Sequence, residues 1–559
     1  MTVAEYLAQF LVRRKVRHVF GLQGGAILKL VDEVMATGQI SYVQNFHEQA
    51  SAFCADACAR VTGNVGVAFA TSGPGATNLV TGIANAQLDS VPTLFITGQE
   101  YSSRLQKKEG VRSNGFQDLD IVRVVTPITK YATTVVDATR IAYELEKAWH
   151  LATSGRPGAV LLDIPIDLQF VTIDPGALEH FVPPLQPLHA IQSQDIAKFL
   201  ALLKTAERPM ILGGGGVALA DARSSFAAFA KLTNVPVALT LNGLDVYENF
   251  LGFSGLYGNI HSALAVYNAD LLIVLGARLG QHQVGKSKDG YTRAKVVHVD
   301  IDELELERCM AEDLSIHADL KSFLNAVNTA LNDFTLPDYS EWHRTIAEWQ
   351  QRYPVSLHER YEMGISPLLL ISEAQRYFKD NAVVVSDVGQ NQMWVAQALR
   401  LRSQQRLLNS SGLGSMGYAL PAAIAAKLCK PDSTIVAFMG DGGFQINLQE
   451  LQLLALRKLN IKLFVLNNGT LGLIKTAQDK YFGDRHYGSV APDFGCPSLE
   501  HIARAYGLNH YKIETSEDLS QLEKIFEDPC AGLVDVMVDP AFPLLTRHDM
   551  KDIFALCGQ

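Results

Sequence analysis

Short apolar runs recur along the chain at 66–70, 93–96, 159–164, 271–275, 295–299, 382–385, 434–438 and 462–466, each closed by glycine or polar turn residues. Between them lie longer segments whose apolar positions repeat at the helical period. Continuous rather than alternating apolar runs mark strands buried on both faces, as in a parallel sheet covered by crossover helices. The pattern predicts repeated βα units and so an α/β fold of doubly wound parallel sheets. At 559 residues there is room for about three such units of roughly 100–200 residues each. Pro175, Pro183, Pro184 and Pro187 forbid continuous helix or strand between 172 and 192 and suggest a first boundary there. Three domains are expected, at 1–170, 190–332 and 365–545, with a helix-forming, Trp- and Tyr-containing linker between the last two. No fixed-period repeat is present, which argues against a solenoid.

Composition narrows the function classes. An apolar fraction of 48% with 19% charged residues is that of a chain able to bury large cores, the opposite of disorder. The net charge of −10 offers no bulk attraction to nucleic acid or an anionic membrane, and neither is expected as a partner. No stretch reaches the roughly 18–20 apolar residues of a membrane span. Glu5 followed by Arg13-Arg14-Lys15 is not the order of a secretory signal, so a cytoplasmic location is expected. Seven cysteines, sparse and odd in number, do not make a disulfide framework. Cys54 and Cys58 sit four apart as on one helix face and, without clustered histidines, read as packing residues.

The sharpest chemical signal is Gly440-Asp441-Gly442-Gly443-Phe444, which follows one apolar run and precedes a helix expected from Asn447 to about Arg457. The next apolar run ends in Asn467-Asn468. A carboxylate in a glycine-rich turn and a side-chain amide at the end of the neighbouring strand bring two hard oxygen donors to one sheet edge, which suits Mg2+ shared with phosphate. The glycines let backbone N–H groups approach a diphosphate.

This turn and its distance from the Asn pair resemble the diphosphate motif of thiamine-diphosphate (ThDP) enzymes. The resemblance implies Mg2+ held by the side chains of Asp441 and Asn468 and the backbone carbonyl of Thr470, with Gly440, Gly442, Gly443 and Asn391 around the cofactor. It extends to Ser411-Gly-Leu-Gly-Ser-Met-Gly-Tyr-Ala-Leu-Pro421, where Gly414 and Met416 would bond the aminopyrimidine and the Met416 side chain would bend the cofactor. In the first domain, His47-Glu48-Gln49 follows a strand-like run, and Glu48 matches the carboxyl group that exchanges a proton with the pyrimidine nitrogen.

Further motifs resemble acetolactate synthase large subunits: Gly21-Leu-Gln-Gly-Gly-Ala26, Thr71-Ser-Gly-Pro-Gly-Ala-Thr-Asn78, Asp89-Ser-Val-Pro92, Phe116-Gln-Asp-Leu-Asp120, Gly155-Arg-Pro-Gly158, Gly276-Ala-Arg278, His298-Val-Asp-Ile-Asp302 and Val388-Gly-Gln-Asn-Gln-Met-Trp394. They run collinearly over about residues 1–545. The resemblance implies pyruvate as donor, with Phe116, Gln117 and Gly25 lining the donor side. It implies active sites shared between subunits of a homodimer or homotetramer. In this branch the middle domain carries a structural FAD, contacted by segments matching Gly213–Gly216, Arg278 and Asp300; relatives of the same fold manage without flavin, so a plain tight turn at 213–216 stands as the alternative.

Three positions depart from the biosynthetic synthases: Ile166 stands for Lys, His282 for the Arg expected to hold the second substrate's carboxylate, and Ala477 for a Trp. A neutral imidazole does not replace a bidentate guanidinium. The expectation is therefore a ThDP- and Mg2+-dependent carboligase that decarboxylates pyruvate and transfers the two-carbon acetyl (hydroxyethyl) unit to an acceptor carbonyl such as a keto-sugar nucleotide. Acetolactate synthase itself, or a ThDP-dependent lyase or decarboxylase, are the alternatives.

Overall fold

Within the sheets every strand pairing is parallel, as the continuous apolar runs require. The structure is a computed structural model that describes residues 1–105, 110–184, 191–285, 290–308, 310–355, 363–402, 404–483 and 485–544. Pro187 and the expected bounds at 190 and 545 lie outside the described residues.

The first sheet comprises β1 (His18–Gly21), β2 (Ser41–Gln44), β3 (Gly66–Ala70), β4 (Thr93–Gln99), β5 (Tyr131–Thr134) and β6 (Ala159–Pro165), in the order β2-β1-β3-β4-β6-β5. The second comprises β7 (Pro209–Gly213), β8 (Val237–Leu239), β9 (Leu271–Leu275), β10 (Lys295–Asp300) and β11 (Leu314–His317), in the order β11-β10-β9-β7-β8. The third comprises β12 (Val383–Ser386), β13 (Arg406–Asn409), β14 (Ile435–Gly440), β15 (Lys462–Asn467), β16 (Asn509–Ile513) and β17 (Gly532–Met537), in the order β13-β12-β14-β15-β17-β16. The first and third sheets thus share one topology. Each of the three has a switch point beside its first strand, where chain connections diverge and a crevice opens past the strand ends.

The third sheet shows why its strands read as unbroken apolar runs. Ile435, Ala437 and Met439 of β14 face a core shared with Phe20, Phe53 and Phe95 of the first domain. Val436 and Phe438 face the opposite core, shared with Phe199, Ile273 and Phe323 of the middle region. Each of these fully buried Val, Ile, Met and Phe side chains contributes about 1.5–3 kcal/mol. The first sheet's other face packs its own core with Val67, Phe69, Ile96 and Leu162. In the expected linker the helix is Ser340–Arg352, anchored by buried Trp342 and Trp349.

Two helices bring the first and third domains together. The helix Glu48–Thr62 is rich in small residues, and Gly82 lies so close that a Cβ there would sit 2.1 Å from that of Ala52. It packs against the Ala-rich helix Ala419–Cys429. Asp56 is buried between them, accepting hydrogen bonds from Arg60 at 2.7 Å and from the Tyr418 hydroxyl at 2.8 Å.

Candidate functional site

Strands β12 and β14 flank the switch point of the third sheet, and the glycine-rich turn leaves the end of β14. A helix begins at Asp441 itself (Asp441–Ile446), earlier than the expected start at Asn447. The backbone breaks at Asn447, whose side-chain amide donates to the Gly417 carbonyl at 2.7 Å, before a turn at Leu448–Glu450 and a helix at Leu451–Leu456. Asp441 Oδ1 accepts the Gly442 N–H at 2.8 Å, whereas its Oδ2 is buried without a partner. Beyond the end of β15, Asn468 Oδ1 accepts the Thr470 N–H at 3.1 Å, its Nδ2 donates to Gln390 at 3.2 Å, and the Thr470 hydroxyl is buried and unpaired. Burial pushes the Asp441 carboxyl up to about 7, opposed by the N–H groups of Gly442 and Gly469. An orphaned carboxylate oxygen beside further oxygen donors is a setting that a hard divalent cation fits.

The segment 411–417 is pinned at both ends by carboxylates. Asp89 accepts the N–H groups of Ser411 at 3.0 Å and Gly412 at 2.7 Å, and Arg60 and Asn242 hold it. Asp387, at the end of β12, accepts N–H groups from Val388, Gly417 and Ala419 at 2.8–2.9 Å; burial pushes it up to about 6 against those three bonds. Asn391 donates to the Asp387 carbonyl at 2.7 Å, and a Cβ on Gly440 would lie 3.3 Å from its Oδ1. A Cβ on Gly443 would meet the Asp387 carboxylate at 2.4 Å, and one on Gly442 would lie 3.2 Å from the Met416 methyl. Met416 therefore sits over the glycine turn, while Gly414 is exposed with open space before it. Asp387→Ala would orphan three N–H groups at about 1–3 kcal/mol each, less the relief of a buried charge. We expect a net loss of about 2–4 kcal/mol in urea unfolding of the apoprotein, with weaker ThDP retention.

A second group gathers in the first domain. Glu48 opens its helix, is 5% exposed and accepts the Asn78 side-chain N–H at 2.9 Å. A Cβ on Gly75 would lie 3.2 Å from Glu48 Oε1 and 2.8 Å from the Thr71 methyl, and one on Gly24 would meet Thr71 at 2.5 Å. Gly25, exposed at the start of the turn Gly25–Ile27, is thus carried to the same strand ends. Gln117 has φ of 60° and packs against Gly73, itself at φ 60°, where a Cβ would lie 2.8 Å from that of Gln117. Phe116 is 83% exposed. The hydrogen bonds of Glu48 stay within its own domain, apart from the Asp441 group. Contact with the third domain is made one step earlier, where buried Glu450 accepts the N–H groups of Phe46 at 2.9 Å and His47 at 3.1 Å and the Asn45 amide at 2.9 Å.

Three family models match in chain order. The thiamine pyrophosphate enzyme N-terminal TPP binding domain covers residues 1–124, the central domain 196–327 and the C-terminal TPP binding domain 387–536. The chain is 36% identical to an acetolactate synthase large subunit of Cyanidium caldarium, over 96% of this chain and 93% of that protein. It is 34% identical to the acetolactate synthase large subunit of Lactococcus lactis, over 96% and 92%, and 34% to the isozyme 1 large subunit of Escherichia coli, over 96% and 94%. The chain belongs to the acetolactate synthase large-subunit family of ThDP enzymes.

In this family member the middle sheet's switch point is crowded by backbone. Gly216 N–H donates to the Gly276 carbonyl at 2.9 Å, and a Cβ on Gly214 would lie 2.2 Å from that oxygen. Past it opens a cavity of about 790 Å³ lined by Gly215, Gly216, Arg278, Asp300 and His282, reaching Asp89 of the first domain and Gly412–Gly414 and Leu473 of the third. The glycines are therefore both a tight turn and a cavity wall. Burial raises the Asp300 carboxyl, which accepts the Asp302 N–H at 2.9 Å. Of the three departing positions, His282 and Ala477 are exposed and Ile166 is half-buried.

Sequence reading of this ThDP enzyme missed Asp387 and Glu450, took Asn447 only as a helix start, and gave Gln390 no role beyond its place in a motif. The motif quoted from Val388 stopped one residue short of the carboxylate that holds the Met416 segment. An acidic residue at the end of an apolar run beside the switch point was the available signal for Asp387; Glu450, surrounded by helix-forming residues, had none.

Proposed function

We propose that the protein is an acetolactate synthase, decarboxylating one pyruvate and joining the remaining two-carbon unit to a second to give 2-acetolactate. The observation that carries this reading is full-length similarity to proteins of that name, together with both halves of a ThDP site. When bound, ThDP supplies the electron sink for the carbanion that decarboxylation leaves. Asp441, Asn468 and the Thr470 carbonyl would hold Mg2+; the orphaned Asp441 Oδ2 supports this. Gly440, Gly442, Gly443 and Asn391 would shape the diphosphate turn, and Gly414 and Met416 would hold the pyrimidine. Glu48 would exchange a proton with the pyrimidine ring, with Gln117, Phe116 and Gly25 on the donor side. The large cavity, with Arg278 and Asp300 on its wall, has the size and reach for a structural FAD. Phe116, Tyr481, Phe482 and Tyr487 are 83%, 69%, 56% and 77% exposed, which supports a second copy covering them in a homodimer. The domain boundaries at 1–170, 190–332 and 365–545 belong to the same proposal.

A keto-sugar nucleotide as acceptor is the second reading, motivated by Ile166, His282 and Ala477 where the synthases carry Lys, Arg and Trp. The relatives described above lend it no support, being named acetolactate synthases. The deciding experiment is NMR of the protein with ThDP, Mg2+, FAD and carbon-labelled pyruvate, with and without a keto-sugar nucleotide. Acetolactate formed from pyruvate alone, at a rate the sugar leaves unchanged, is expected. Slow pyruvate turnover accelerated by the sugar, with the label on its carbonyl carbon, would replace the proposal by the second reading, and free acetaldehyde alone would make the protein a decarboxylase.

A further inference from the structure

About 15 Å along the helix from Glu48, three soft or borderline metal donors converge where the first and third domains meet. Cys58 lies near the end of the helix Glu48–Thr62, Cys429 closes the helix Ala419–Cys429, and His18 begins β1. The Cys429 and Cys58 sulfurs are 3.0 Å apart, His18 Nδ1 is 3.8 Å from Cys429 Sγ, and all three donor atoms lie within 4.8 Å of one another. Cys58 is buried at 8% exposed, while His18 and Cys429 are half-buried. Cys58 packs in the core between the two domains, as the sequence reading expects, but the expectation that no histidine lies beside it is corrected by His18. Cys54, its predicted companion, is instead engaged with the Pro421 carbonyl at 3.1 Å.

We propose that Cys58, Cys429 and His18 form a zinc site that clips the N-terminal domain to the C-terminal one. Two thiolates and an imidazole are a donor set zinc takes readily, with bonds of about 2.3 Å to sulfur and 2.0–2.1 Å to nitrogen. Tetrahedral bonds of that length place two sulfurs about 3.8 Å apart, so the pair needs to open by about 0.8 Å, within reach of small side-chain rotations. Binding releases the two thiol protons to solvent, and the fourth position falls to a water on the half-exposed side. The hard oxygen donors around Asp441 select a different ion. A disulfide between the same sulfurs is the rival outcome, since it would leave His18 without a part in the site.

The test uses the full-length protein, reduced, saturated with ThDP and Mg2+ and freed of other metals. Titration with Co2+ as a zinc surrogate is expected to produce a thiolate-to-metal charge-transfer band at one equivalent, which oxygen ligands around Asp441 cannot give. Zn2+ should displace it and shield Cys58 and Cys429 from alkylation, read by peptide mass spectrometry. Cys429→Ser and His18→Gln should each weaken Zn2+ by about 100-fold or more, beyond the loss from outer-shell changes. The shielding experiment needs no variant, so a variant that fails to fold leaves the proposal open to refutation. No charge-transfer band, no zinc-dependent shielding, or a wild-type chain isolated two hydrogens lighter with Cys58 and Cys429 joined would each overturn it.

Discussion

Glu48→Gln should slow release of carbon dioxide from pyruvate by about 10²- to 10⁴-fold, the usual scale for a positioned acid-base group. The amide keeps the volume of the side chain and an oxygen for the Asn78 N–H that Glu48 accepts at 2.9 Å. What it loses is the exchangeable carboxyl proton. Packing around the site, with Gly75 close to the carboxylate, is undisturbed, so thermal unfolding of the variant should match the parent within about 0.5 kcal/mol. ThDP retention should also persist, since the Asp441 group is untouched. Single-turnover decarboxylation beside a thermal melt makes the check. A variant retaining more than a tenth of the parent rate would remove Glu48 from the proton path.

Asp441→Asn should move stability in opposite directions with and without cofactor. In the apoprotein, burial raises this carboxyl to about 7 from its ordinary 3.8. The native state therefore holds the proton to higher pH than the unfolded chain does, and apoprotein stability falls as pH rises from about 4 to about 7, then levels. At 1.36 kcal/mol per unit the charge costs about 4 kcal/mol above that window. Asparagine removes the charge and this residue's share of the slope, leaving that of Asp387, but leaves an amide without a buried partner, so the net gain should be about 1–3 kcal/mol at pH 7.5. With ThDP and Mg2+ the order reverses. The parent should gain about 2.7 kcal/mol at ligand a hundredfold above its dissociation constant, and the variant nothing. Urea melts at pH 5 and 7.5, with and without cofactor, read both effects; an unaltered cofactor shift in the variant would remove Asp441 from the metal site.

Strands covered on both faces were legible because no polar residue interrupts them: Gly66–Ala70 and Leu271–Leu275 fall where the apolar runs do. The edge strands Tyr131–Thr134 and Asn509–Ile513 are half-polar, and nothing in composition separates them from loops. Asp441 and Asn468 were legible as a spaced pair because both leave neighbouring strand ends and their distance along the chain is one βα unit. Glu450 was not, because its partners Asn45, Phe46 and His47 lie about four hundred positions away and meet it only through the packing of two domains. His18, Cys58 and Cys429 were hidden for the same reason. Local chemistry can be read along a chain, whereas a group assembled across domains requires the topology first.

Alternate residues of β14 belong to two different cores, one shared with the first domain and one with the middle region. Both faces of that strand are thus committed, each to a core that crosses a domain boundary. Although three sheets can be counted, the third is no free-standing module: excising it would expose the apolar faces of both its neighbours to water, so a truncated chain that ends before it should be prone to aggregate.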